Sequence, residues 1–199
     1  MQAQIGDAVA NGTEAAGPNA VVRWFGADFA RLHPLLQDLH RRDGTLRGKV
    51  ALWFGPGSSG AMGRRLARHL GIPDSAGQHD FRVDIRHDAT GMAWDRRFDD
   101  GPPIRSRFSL TGRWPDGQWI EATDPLEMNL TVSVIDGGWY WRIVGARLRG
   151  VPMPLALLPR VDAYKRIEDG RYRFHVGFAL PVVGEVFSYS GLLEADAHG

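Results

Sequence analysis

The sequence predicts a mainly β protein of the α+β class: a curved antiparallel sheet or half-open barrel of about nine strands, with two N-terminal helical segments. Three observations carry this. Apolar residues recur at helical spacing only before residue 71. From residue 79 onward the period is two. The alternating runs are joined by short turn signals, which force consecutive strands to pair antiparallel. So many strands cannot be covered by two helices while lying flat, so the sheet is expected to curl.

Phe25, Phe29, Leu32, Leu36 and Leu39 form one apolar helical face, with Pro34 expected to begin a second helix within that span. After the strand "KVALWF", Ser58 or Ser59 is expected to cap a helix. Its apolar face would be Met62, Leu66 and Leu70, and Gly71 and Pro73 would close it. Phe81, Val83 and Ile85 then alternate with charged residues, "DATG" turns the chain, and Met92, Trp94, Arg96 and Phe98 return. Further strands are expected at 104–113, 118–123, 126–135, 139–148, 161–168, 171–180 and 185–193. The run "RGVPMPLALLPRV", residues 149–161, interrupts them. Its three prolines cannot join a ladder, and its apolar side chains do not suit a solvated loop. "PLALLP" suits a single helical turn that either completes the core or lies as a lid across the open end of the sheet.

Organisation and environment follow from composition. Residues 1–20 read as a flexible tail and 21–195 as one β-rich domain. The 24 basic and 23 acidic residues give a net charge of +1, which disfavours a nucleic-acid partner. There is no cysteine, so disulfides and thiolate chemistry are excluded. The N-terminal residues lack a signal-peptide pattern, and no segment approaches the roughly 18 apolar residues of a membrane span. A cytoplasmic location is expected. "GPGSSG", residues 55–60, matches G-x-G-x-x-G between a strand and a helix, but the meander downstream lacks the βαβ units of a dinucleotide fold. No cofactor is expected. The histidines show no metal-ligand spacing: His33 and His40, seven residues apart on a helix, stand about 10 Å apart. No metal is expected either.

Arg96 is the most informative polar residue. The "DATG" turn sets Phe81 opposite Phe98, Val83 opposite Arg96 and Ile85 opposite Trp94, so the guanidinium starts from the apolar face. There it needs a partner or a ligand, and Glu121 in "QWIEAT" is the best-placed carboxylate. Arg82, Asp84, Arg86, Asp95 and Arg97 on the other face read as solvated cross-strand charges.

The order of short motifs resembles the bacterial family known as domain of unknown function 4166. The resemblance runs from about Trp24 to Leu193. It rests on "LHPLLQDLH", the strand ending at Gly55, "HLGIP", "WDRRF", Glu121, "GVPMPLALLP" and "LPVVGEVFSYSGLL". "RRFDDGPPIRS" departs from the pattern, which is simpler and richer in glycine there. The resemblance implies a domain that occurs alone or behind a nucleotide-binding reductase-like domain, and it carries no activity.

Two functions fit these residues. The first is a binding module for a hydrophobic or amphipathic small molecule whose acidic group meets Arg96, with Trp94, Glu121, Trp141, Tyr189 and His40 as lining. The second is an enzyme, or the substrate-binding partner of a reductase-like protein, with Glu121 or His40 as acid or base.

Overall fold

The computed structural model describes residues 18–197; most of the tail expected at 1–20 lies outside them. Asn19 caps helix α1 (Ala20–Phe25) by accepting from the Val22 N–H at 3.1 Å. A 3-10 segment, Gly26–Arg31, leads to α2 (Pro34–Arg41), which begins at the expected proline, with His33 Nδ1 accepting from Leu35 N–H. All five residues of the expected apolar face are buried.

Eleven strands follow: β1 (Gly44–Phe54), β2 (Gly77–His87), β3 (Gly91–Phe98), β4 (Ile104–Thr111), β5 (Gln118–Thr123), β6 (Leu126–Ile135), β7 (Gly138–Leu148), β8 (Val151–Pro152), β9 (Arg160–Glu168), β10 (Arg171–Leu180) and β11 (Gly184–Ala197). All but β8 close into a ten-stranded antiparallel barrel. The class is the expected one, but closure replaces the half-open form. One strand makes the difference: β7 pairs with β6 on one edge and β9 on the other, joining the two ends of the sheet. The β2–β3 register is the one set by "DATG", with Val83 opposite Arg96. Asp88 holds that turn by accepting from Thr90 and Gly91 backbone N–H groups at 2.7 and 2.9 Å.

Helix α3 (Gly57–His69) lies outside the barrel against β11. Its start differs from expectation: Pro56 precedes the first turn, and Ser59 donates back to the Pro56 carbonyl instead of capping. Its buried face differs in part: Gly60, Gly63 and Ala67 are buried, the expected Leu66 and Leu70 pack half-buried against the core, and Met62 is exposed. The reason is distance. A Cβ on Gly63 would stand 2.2 Å from the Val186 carbonyl oxygen, and one on Gly60 2.0 Å from that of Gly55. Two glycines of "GPGSSG", Gly55 and Gly60, thus serve close packing of strand, turn and helix.

The barrel's two ends differ. At one, α1 and α2 form a plug: Trp24 Nε1 donates to the Thr111 carbonyl at 3.1 Å, His33 N–H to that of Gly137 at 2.9 Å, and the Tyr172 hydroxyl to that of Leu35. The other end carries the proline-rich connection. From the plug end β7 and β9 share three residue pairs, Trp139–Lys165, Tyr140–Tyr164 and Trp141–Ala163, and then part toward this connection. The free edge of β7 is taken by β8, with Met153 N–H donating to the Ala146 carbonyl at 2.9 Å. Residues 149–159 are therefore a strap over the seam. Its 3-10 turn, Leu155–Leu157, is the expected helical turn, but Val151 and Leu155 are 65% and 48% exposed, so these two side chains do not complete the core.

Candidate functional site

Side chains that point into the barrel follow from the pairing. Trp119 faces Leu130, Glu121 faces Met128, Leu130 faces Ile143, and Val132, Trp141 and Ala163 are successive neighbours on one face. Toward the plug these residues are fully buried: Trp119, Trp139, Ile85, Met92. Toward the strap the same inward face is half-buried at Glu121, Met128, Trp141, Ile143, Val161 and Ala163. The inward face is thus less completely covered at the strap end. That end is rimmed by exposed apolar side chains, Leu148, Val151 and Leu155 on one connection and Val182 and Val183 on the β10–β11 turn. Exposed apolar clusters of this kind mark contact surfaces.

A polar network lines one wall of this mouth. Arg96 Nη2 donates to Ser106 Oγ at 2.6 Å and lies 3.4 Å from Glu121 Oε1, while Ser106 and Thr123 hydroxyls are 2.8 Å apart. Burial opposes the Arg96 charge, but the Tyr189 phenol and the Glu121 carboxylate beside it outweigh that, and the guanidinium holds its proton more tightly than usual. Burial pushes the Tyr189 phenol up, with Arg96 pulling the other way. Arg96 Nε is buried without a hydrogen-bond partner. The network offers donors and acceptors in a wall that is otherwise apolar, including Ile104 and Phe108.

Deeper, on the plug side, lies a group that the sequence reading passed over. Lys165 is 1% exposed, and its Nζ stands 2.7 Å from His40 Nε2. The same Nζ lies 4.2, 4.5 and 5.8 Å from the ring centres of Trp139, Trp94 and Trp141. Among the described residues no carboxylate pairs with it, and burial alone drives its pKa well below the ordinary value of 10.5. Burial, then Lys165 and His87, lower His40 in the same sense. The signal was legible: Val161, Ala163, Lys165 and Ile167 share one parity on a strand whose inward face is otherwise apolar.

Of the six residues singled out from sequence, Arg96, Trp94, Glu121, Trp141 and Tyr189 come from the barrel wall and point inward. His40 comes from α2 at the plug, so the fold does not bring it together with Glu121. It brings it to Lys165, with Trp139 against the His40 ring and Trp94 and Trp141 near the amine. Among the described residues no three His, Asp or Glu side chains converge as a metal's ligands would.

These features define a class: a small antiparallel β-barrel plugged by helices at one end and open under an apolar strap at the other. The chain belongs to the family described as domain of unknown function (DUF4166), whose model matches residues 32–193. No curated protein matches it. Among the described residues no helix is long and apolar enough to cross a membrane.

Proposed function

We propose that this protein is a binding barrel for a hydrophobic or amphipathic small molecule, taken up at the strap end with its polar group against Arg96, Ser106 and Glu121. One observation carries this reading: the inward face is sealed at the plug and half-open at the strap, where it is lined by apolar side chains and one polar network. A barrel built only for stability gains by filling its interior at both ends. A binding barrel keeps one mouth wet and apolar. The network is neutral as a whole, Arg96 against Glu121, which suits a ligand head group that both donates and accepts.

Calorimetric titration with decanoic acid and decanol tests the reading. Saturable one-to-one binding is expected, weakened at least tenfold by Ala163→Leu, which adds bulk at the half-buried inward face on the wall opposite Arg96. Absence of saturable binding of either probe, or equal binding by the Ala163→Leu variant, contradicts it.

A further inference from the structure

We propose that Lys165 is a nucleophilic amine that captures a carbonyl-bearing ligand of this barrel as an imine, with His40 relaying the proton. The inference rests on the binding reading and names the ligand class: an apolar aldehyde or ketone. Three features of the geometry carry it. Lysine is a costly residue to bury, yet Lys165 is sealed among three tryptophans with a histidine nitrogen, not a carboxylate, at hydrogen-bond distance. A carboxylate would hold the amine as an ammonium and remove its lone pair; His40 Nε2, in the tautomer protonated at Nδ1, accepts from the amine without doing so. Finally, the half-buried end of the site reaches it. Ala163 precedes Lys165 by two residues on the same inward face, and Trp141, half-buried, lies 5.8 Å from Nζ. A ligand occupying the mouth has its inner end against these two side chains, and a turn of the Trp141 ring joins it to the amine. Burial lowers the pKa of Lys165, the direction a nucleophilic amine requires.

The step balances without an oxidant or reductant. The Nζ lone pair attacks the carbonyl carbon, and the C=O π pair moves onto oxygen. The nitrogen loses a proton to His40 Nε2, which returns it to the oxygen to give a carbinolamine. A second transfer by the same route, assisted by the nitrogen lone pair, expels that oxygen as water and leaves C=N. One amine and one carbonyl give one imine and one water. Trp94, Trp139 and Trp141 exclude the bulk water that would hydrolyse it.

The chain supplies its own control, because Lys49 and Lys165 are its only lysines. Lys49 is exposed and ion-paired to Asp80 at 2.7 Å, and that hydrogen bond raises its pKa. The full chain is incubated with decanal and sodium cyanoborohydride at neutral pH, then analysed by intact mass and peptide mapping. The expected result is one decyl group on Lys165, with a rate that saturates in decanal and falls when decanoic acid competes. Lys165→Met should lose the label, and His40→Gln should slow labelling at least tenfold. Labelling of Lys49 or the N-terminal amine alone, or of Lys165 without saturation or competition, overturns the inference, and leaves the binding reading standing if decanoic acid still binds. Loss of decanoic acid binding as well would overturn both.

Discussion

Arg96 and Lys165 are two buried cations that the same barrel treats in opposite ways. Arg96 keeps its charge because Tyr189 and Glu121 offset its burial. Arg96→Met removes that compensation and leaves a carboxylate with 12% exposure without its partner, so it should cost on the order of 3 kcal/mol. Glu121→Gln keeps an acceptor and should cost less; guanidinium denaturation of both variants checks the order. Burial of Lys165 instead disfavours its charge. The unfolded chain binds a proton there below the ordinary pKa of 10.5, and the folded chain binds it less tightly. Stability should therefore rise as pH increases from neutrality toward 10.5, by up to about 1.4 kcal/mol per unit from this group. Lys165→Met should flatten that rise and be more stable than the wild type at pH 7 by about 1–3 kcal/mol. A wild-type stability independent of pH over that window would mean the amine is charged within its tryptophan cage. His40 acts in the same sense at lower pH: its depressed pKa makes stability fall as pH drops through its ordinary value of 6.5.

At the scale of elements, legibility in the sequence tracked the strength of the local pattern. Strands β6 and β10 were readable to the residue because alternation and turn chemistry coincide at their ends, and Pro34 marked α2 for the same reason. Helix α3 was readable as an element but only in part in its face, Leu66 and Leu70 packing on the core and Met62 not. Hydropathy points to Met62, whereas approach to β11 demands glycine, a requirement that no apolar periodicity announces. Gly63→Val should therefore lower stability by about 2 kcal/mol or more, although it adds apolar surface to a helix, and a thermal melt of the variant checks this. The strap shows the converse. Its apolar content reads as core, but β7 and β9 part beneath it and leave Val151 and Leu155 outside. That separation is a matter of how the barrel closes, which pairing between non-adjacent strands decides.

For the whole molecule, the site was partly legible because barrel walls obey parity. Arg96, Glu121, Trp94, Trp141 and Tyr189 all lie on inward positions, and the hairpin register alone placed Arg96 there. The Lys165–His40 contact was not legible, since 125 positions separate the two residues and the contact requires the plug to dock against the end where β7 meets β9. That long-range closure gives the molecule its polarity: a sealed end where helices meet the barrel, a wet apolar mouth under the strap, and an amine between them.

Native mass spectrometry of the protein purified from its own host reads occupancy of the barrel. A fraction carrying one retained small molecule of mainly apolar character, released on denaturation and absent from the Ala163→Leu variant, is expected. A single bare mass in wild type and variant alike, together with no uptake of decanoic acid, decanol or decanal, would contradict the proposed binding.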